Sequence, residues 1–393
     1  MDIFEKCHFP QIDEAIQQGY YPYFQTISEK SGPVVNINGK SLIMAGSNDY
    51  LGLSADTRLI EAAKDATSRF GTTCSGSRLL NGTLSLHEEL EEKLASFLKK
   101  EKVLVVTTGY CANLTALSAL LGRNDVAVAD RLNHASLVDG IRLGHGKYLR
   151  YRHHDDQECE TILSKIEQSN GILLVSDGVF SMEGDLADLT TLVRLKKRFG
   201  ARIFLDDAHG IGVIGANGRG TAEHFDLEDE MDILTGTFSK SFGSLGGFIA
   251  GPASVIEYMK HTATPFIFSA SMTPAATASA LQALLIIQQE PERRQRLLDY
   301  TQKVRNNLKN LGLHLYEGLT PIIAIQTNED DITFSYWKHM LTKGVFVNPV
   351  VSPAVPKGKQ LIRMCLMATH TEEQIEQILN ACEYAGKKSG LIK

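Results

Sequence analysis

Two short stretches in the middle of the chain hold residues whose types and spacing could do chemistry. Asp206-Asp207-Ala208-His209 stands directly after the apolar run Ile203–Leu205, and Lys240, in Gly236-Thr-Phe-Ser-Lys-Ser241, follows a second such run from Ile233. A lysine amine flanked by hydroxyl residues at the end of a buried strand is placed for Schiff-base chemistry. A carboxylate at a neighbouring strand end can keep a heteroaromatic nitrogen protonated, and hydroxyls with backbone N–H groups can take a phosphate. One cofactor needs all of these: pyridoxal 5′-phosphate (PLP), whose protonated ring is an electron sink for a carbanion at a substrate's Cα. Taken singly, each feature has a plainer reading, since a lone lysine is usually a solvated charge and an aspartate after a strand often caps a helix. Their combination at two strand ends carries the PLP reading.

Other motifs lead elsewhere. Gly210-Ile-Gly-Val-Ile-Gly215 fits the GxGxxG pattern, but Asn217-Gly-Arg-Gly220 follows it, which is loop chemistry and not the helix a dinucleotide site requires. Ser239-Lys240-Ser241 echoes a phosphate-binding P-loop without the glycine before the lysine. His153-His154-Asp155-Asp156 offers metal-ligand types, but adjacent residues on a loop seldom converge on one ion; a solvated turn, and no metal, is expected. Met364 and Met367 read as core filling.

The elements that must position Asp206 and Lys240 follow from the hydrophobic pattern. Apolar, β-rich runs at Val103–Thr107, Val126–Ala129, Ile172–Val175, Ile203–Leu205 and Ile233–Thr237 alternate with helical stretches at Leu84–Leu98, Cys111–Leu121, Glu158–Gln168 and Leu189–Arg198. Strands without polar alternation are buried on both faces, so the pattern predicts repeated βαβ units in an α/β lobe with a large, doubly wound, mostly parallel sheet. After a long helix from Pro291 to Leu311, shorter strands at Ile322–Gln326, Val345–Asn348 and Leu361–Leu366 and a last helix from Thr371 to Ala385 predict a smaller α+β C-terminal lobe. The expected division is an N-terminal arm over 1–50, a large cofactor-binding domain over 51–290 and a small domain over 291–393. A length of 393 residues suits two lobes, and 43% hydrophobic with 22% charged residues describes a soluble globular chain. A net charge of -6 gives no footprint for nucleic acid. Six scattered cysteines without a CxxC pair read as reduced thiols, and neither a signal peptide nor an apolar run near the ~20 residues of a membrane span is visible. The expected location is the cytoplasm.

The order of motifs resembles the α-oxoamine synthase family of fold-type I PLP enzymes, which join an amino acid to an acyl thioester with loss of carbon dioxide. The matching stretches are Ser47-Asn-Asp-Tyr-Leu-Gly-Leu53, Thr108-Gly-Tyr110, Asn133-His-Ala-Ser136, Asp177-Gly-Val-Phe-Ser-Met-Glu-Gly184, Asp206-Asp-Ala-His209, Gly236-Thr-Phe-Ser-Lys-Ser241 and Arg363 with Ala368-Thr-His370. They span nearly the whole chain in the family's order. The resemblance implies that Lys240 is the Schiff-base lysine and later the acid/base, that Asp206 pairs with the pyridinium, that His209 bonds the phenolic oxygen with help from Ser181, and that His134 stacks on the ring. These make the implied catalytic set Lys240, His134, Asp206 and His209. Gly109, Tyr110 and Thr237 would take the phosphate, joined from the other subunit of a homodimer by Ser269 or Ser271. Arg363, with Asn48 close by, would hold the substrate carboxylate.

Within the family, Gly76-Ser-Arg-Leu-Leu-Asn-Gly-Thr83, Phe268-Ser-Ala-Ser-Met-Thr-Pro-Ala275 and Gly344-Val-Phe-Val-Asn-Pro-Val-Val-Ser-Pro-Ala-Val-Pro356 resemble the members that condense L-serine with a long-chain acyl-CoA, usually palmitoyl-CoA. The product is 3-oxosphinganine, the first intermediate of sphingolipid synthesis. Members that use alanine or glycine (8-amino-7-oxononanoate synthase, 2-amino-3-oxobutyrate CoA ligase) share the catalytic words and stand as the alternative. A non-catalytic subunit of the same fold is a third reading, opposed by the presence of Lys240, Asp206, His134 and His209. Met367 stands where many relatives carry threonine, which sets the pocket near it apart. Peripheral contact with the inner face of a membrane is left open by the acyl substrate.

Overall fold

The structure, a computed structural model, describes residues 2–8, 10–17, 19–167 and 169–393. In chain order the strands are β1 (Ile27–Ser31), β2 (Val34–Ile37), β3 (Lys40–Met44), β4 (Lys102–Val106), β5 (Asp125–Asp130), β6 (Lys147–Tyr151), β7 (Gly171–Asp177), β8 (Arg202–Asp206), β9 (Ile233–Thr237), β10 (Gly247–Gly251), β11 (Ile322–Gln326), β12 (Val345–Phe346), β13 (Asn348–Val350) and β14 (Leu361–Cys365). Seven of them form the large sheet in the order β4-β10-β9-β8-β7-β5-β6. β5 to β9 pair in parallel, while β10 runs antiparallel to both its neighbours. Apolar clusters cover both faces of this sheet, which is why its strands read as continuous hydrophobic runs. The α/β expectation is met.

β10 was not visible in the sequence, because a run beginning Gly246-Gly247 and closing on Gly251 lacks strand propensity. Its glycine has a packing reason. A Cβ on Gly247 would lie 2.7 Å from the Cα of Gly109, so β10 lets the helix Gly109–Leu120 approach the sheet closely. Two further expectations shift. The stretch Val345–Asn348 divides at the buried Val347: β12 pairs in parallel with β3, and β13 turns to pair with β14. The helix expected over Glu158–Gln168 spans Asp156–Leu163, capped by Asp155 and closed by tight turns from Ser164; Gln168 lies outside the described residues.

β1–β3 and β12 form one small sheet, and β11-β14-β13 a second. Backbone bonds from Cys365 N to Ala45 O and from Ala368 N to Tyr50 O, 2.8 Å each, stitch the end of β14 to the segment after β3. This seam sets Arg363 of β14 beside Asn48. His370 secures it, accepting from Met367 N through Nδ1 and bonding Met44 O through Nε2. Among the described residues, no helix is long and apolar enough to cross a membrane.

The turn after β8 rests on Asp207, fully buried, whose carboxylate accepts from Thr221 N at 2.6 Å and Thr221 Oγ1 at 2.7 Å. Residues 207–218 are turns and carry no helix, so the GxGxxG match has no dinucleotide-site context. Asp207→Ala leaves two buried donors unpaired and should cost about 1–3 kcal/mol. The measurement is the urea midpoint at constant slope; an unshifted midpoint would contradict the supporting role given to Asp207.

Candidate active site

Because β4, β5, β7, β8 and β9 end on the same edge of the sheet, the residues just beyond them meet there. Asp206 closes β8, Asp177 closes β7 directly opposite it in register, and Lys240 follows β9. The Lys240 amine makes no hydrogen bond or ion pair with any described residue, while the residue's carbonyl accepts from Gly243 N. Burial pushes its amine down to about 8, against the pull of the Asp206 and Asp177 charges. The Lys240 charge reaches both His134 and His209, and that of Asp206 reaches His134, so the four implied catalytic residues are brought into one pocket.

Asn113, on the first helix after β4, organises this pocket and escaped the sequence reading. Its Nδ2 donates to Asp206 Oδ2 at 2.6 Å and to Ser136 Oγ at 2.8 Å, while its Oδ1 accepts from Thr235 Oγ1 at 2.8 Å. Asp206 Oδ1 takes Ala208 N at 3.1 Å. Since Ser136 Oγ accepts from Asn113, its own proton goes to His134 Nδ1, 2.7 Å away, and Ser136 N donates to the same nitrogen at 3.3 Å. Two donors into Nδ1 leave the ring proton on Nε2. Burial lowers the affinity of this imidazole for a second proton.

His209 is fixed in the same way by another residue that was not singled out. Tyr50, fully buried, lies with its hydroxyl 2.6 Å from His209 Nδ1. Burial, with Lys240 and Arg363 nearby, drives His209 well below the ordinary histidine range, so the ring is neutral. The Tyr50 hydroxyl, 3.3 Å from Asn48 Oδ1 and closer to Nδ1, would by donating to Nδ1 leave the ring proton on Nε2. Asp177 is the third missed residue. Its Oδ2 accepts His134 N at 2.7 Å, and burial, followed by the neighbouring Asp206 charge, pushes its carboxyl well above the usual range. Only Tyr50 and Asp177 left a trace in the sequence, as members of two matched motifs; Asn113 left none.

Arg363 is 6% exposed and has no carboxylate partner among the described residues. Its Nε donates to Ser181 O, and its second terminal nitrogen donates to Asn48 Oδ1 at 3.0 Å. Ser181 thus reaches this pocket through its carbonyl. A buried, oriented guanidinium without an acidic partner can receive a carboxylate in bidentate fashion. At the opposite side, Thr108 caps the helix Gly109–Leu120 by accepting from Cys111 N, which leaves the Gly109 and Tyr110 amides to an anion at that end. A Cβ on Gly109 would lie 2.8 Å from Thr237 Cβ and 2.9 Å from its Oγ1. Only glycine permits that cradle. The candidates Ser269 and Ser271 bond backbone carbonyls within the chain: Ser269 Oγ donates to Pro265 O, and Ser271 donates through N and Oγ to Gly76 O.

These residues fit PLP. An unpaired amine faces the Asp206 carboxylate, a helix N-terminus closes on a threonine hydroxyl with no room for a side chain at Gly109, and two neutral imidazoles stand in the same pocket. Breaking the relay should show in the imidazoles themselves. In ¹⁵N spectra His134 should be the Nε2–H tautomer, and Ser136→Ala or Asn113→Asp should convert it to a mixture while the fold survives. A His134 spectrum unchanged in both variants would exclude the relay.

Comparison with known proteins agrees with this geometry. Residues 40–381 match the family aminotransferase class I and II. The serine palmitoyltransferase of Sphingobacterium spiritivorum is 47% identical over 370 residues, covering 94% of this chain and 93% of its own length. The 8-amino-7-oxononanoate synthase of Thermosipho melanesiensis is 40% identical over 382 residues, covering 97% of this chain and 98% of its own. A solved structure of SPT with a PLP internal aldimine superposes with a TM-score of 0.97 at 33% identity, over 100% of both chains. The chain belongs to the aminotransferase class I and II family, with the fold of the fold-type I PLP transferases.

Proposed function

We propose that this protein is a PLP-dependent acyltransferase that condenses L-serine with a long-chain acyl-CoA, with loss of carbon dioxide, to 3-oxosphinganine. The observation that carries the reading is Arg363: a buried guanidinium without an acidic partner, held by Asn48 and Ser181 beside the unpaired Lys240 amine. Such a pair suits a substrate that bears a carboxylate next to the bond being broken. The choice of serine is supported by relatives: the serine palmitoyltransferase is 47% identical, the 8-amino-7-oxononanoate synthase 40%.

Lys240 would bind the aldehyde carbon of PLP, Asp206 the ring nitrogen, His209 Nε2–H the phenolic oxygen, and Gly109, Tyr110 and Thr237 the phosphate, with His134 against the ring face. When bound, PLP supplies an electron sink for bond-breaking at the substrate's Cα. Arg363 fixes the substrate carboxylate, and with it the angle of the bonds at Cα. Lys240, whose amine is half-neutral near pH 8, takes the Cα proton at Nζ and later returns it. Asp206, oriented by its bonds from Asn113 and Ala208, would present its carboxylate to the ring nitrogen. The reading divides the chain into an arm over 1–50, a cofactor domain over 51–290 and a small domain over 291–393. It also includes a homodimer, in which Ser269 or Ser271 reaches the phosphate of the other subunit. The exposed Leu79, Leu80 and Phe268 around Ser271 support a covered face there. Any approach to a membrane is peripheral.

The test is a panel of serine, alanine, glycine and threonine with palmitoyl-CoA, read by release of the CoA thiol. Serine should dominate, and folded Lys240→Ala should release none. Dominance of alanine or glycine would replace the serine reading with the synthase or ligase alternative. Arg363→Ala, folded and PLP-loaded, should weaken serine by about 1.5–3 kcal/mol, the worth of a charge-assisted hydrogen bond. Unchanged serine affinity would remove Arg363 from the site.

A further inference from the structure

His153 lies outside the pocket just described, in the loop after β6, and its surroundings overturn the expected solvated turn. Its side chain is only 20% exposed. Nδ1 lies 3.0 Å from Asp130 Oδ2 at the end of β5, and Nε2 lies 2.9 Å from Asp185 Oδ2 in the turn after β7. The edge of its ring packs on buried Phe180, centroid to centroid 4.4 Å. The left-handed conformation of His154, φ 56°, lets this neighbour turn back so that its Nε2 reaches the same Asp185 oxygen at 2.6 Å.

Both carboxylates shape loops that enter the site. Asp130 Oδ1 accepts Leu132 N at 2.8 Å and so sets the loop 130–134, which ends in His134. Asp185 belongs to the turn Val179–Leu186, closed by Phe180 N to Asp185 O and Gly184 N to Phe180 O, at 3.0 and 2.8 Å. That turn carries Ser181, whose carbonyl receives Arg363 Nε, and its Gly184 O is pinned by Thr320 Oγ1 at 2.8 Å. We propose that His153 is a positioning residue: bonded at both nitrogens to carboxylates of two loops, it ties the loop carrying His134 to the turn that seats Arg363. Donation from both ring nitrogens requires the imidazolium. Burial works against that charge, but the two carboxylates outweigh it and raise the group to about 10.

His153 Nε2, His154 Nε2 and Asp185 Oδ2 also converge as metal ligands would. Tetrahedral zinc with bonds of about 2.0–2.1 Å holds neighbouring ligand atoms about 3.3 Å apart. The separations of 2.9 and 2.6 Å are those of hydrogen bonds to a shared oxygen. The titratable groups facing the ring are Asp130 from β5, Asp185 and Glu183 from the turn, and His154 beside it. The geometry points to a proton-filled clamp.

The consequence for substrate rests on the amino-acid reading above, so the test separates the two. In the PLP-loaded full chain, His153 should show two imidazole N–H signals at pH 8.5, where an ordinary histidine is neutral. This readout requires no substrate. His153→Gln and Asp185→Asn should keep bound PLP but raise the KM for the amino acid selected by the panel between about twofold and thirtyfold, the range of indirect coupling. The KM for acyl-CoA should move less. Because the folded value lies above the ordinary 6.5, the clamp stabilises fully below about pH 6.5 and its contribution is lost as pH rises through 10. The stability gap between wild type and His153→Gln should therefore close above pH 10. One N–H signal at pH 8.5, an unchanged amino-acid KM in both folded variants, or zinc bound at one equivalent and abolished by His154→Ala would each overturn the proposal. A wild type without amino-acid turnover would instead count against the reading of the reaction, and the signals at pH 8.5 would still decide the clamp.

Discussion

Asn113 has two N–H donors and one carbonyl, and all three are committed inside the sheet's edge: to Asp206, to Ser136 and from Thr235. A buried amide with every group paired has one orientation, because flipping it would set a donor against the Thr235 hydroxyl and a carbonyl against the Asp206 carboxylate. The direction of the next bonds follows. Ser136 must give its proton to His134, and Asp206 must present its remaining lone pairs away from the helix. The acid and the imidazole that the resemblance places on either side of a ring are therefore oriented by one side chain that touches neither ligand nor solvent. Asn113 in turn depends on close helix–sheet packing, which Gly247 permits beneath Gly109.

The pocket built on that relay holds two cationic side chains without acidic partners. Lys240 is left unpaired, and Arg363 bonds only a carbonyl and an amide oxygen. In a desolvated site such charges cost stability unless a ligand supplies the opposite sign. Arg363 stays charged whatever its burial, whereas the Lys240 amine responds by falling to about 8. The pocket thus divides its cations into one permanent anchor and one group able to exchange protons near neutral pH. Asp177 shows the complementary response: the like charge of Asp206 across the strand pair and burial favour its neutral form, so Asp206 is the acid free to pair with a cationic ring.

How much of this could be read from the sequence depended on how local the signal was. β5, β7, β8 and β9 were legible because both their faces are buried, which keeps their runs apolar, whereas the edge strand β6, broken by Lys147 and Arg150, was not read as a strand. Lys240, Asp206 and Arg363 were legible because each stands at a strand or within a matched stretch. β10 was hidden because the glycines that serve the Gly109 approach also lower strand propensity. Asn113 sits mid-helix among apolar residues, and its partners come from β8, β9 and the helix Ala135–Leu143; that coincidence is a product of sheet order and of no local pattern. The metal-like His153-His154 pair was misjudged for a related reason, since neither Asp130 nor Asp185 is near it in sequence.

The histidines show what the sheet edge adds to bare residue identity. His134, His209 and His370 are all pulled toward the neutral form, with burial the largest cause in each. Neutral, each becomes a directional group, with one nitrogen set against a fixed partner and the other left to donate: Ser136 stands at His134, Tyr50 at His209, and Met367 N at His370, whose Nε2 is committed to Met44 O. His153 is also mostly buried, but two carboxylates stand at its nitrogens and turn the balance the other way. Burial by itself therefore predicts a neutral imidazole, and only the partners decide whether the residue becomes a tautomer-locked donor or a cation. Of these four, the three neutral rings face the pocket or its seam, and the cation is kept one loop away. That separation matters physically, because an imidazolium at His209 or His134 would add a third positive charge beside Lys240 and Arg363, a further buried cation without an acidic partner that would push the Lys240 amine still lower.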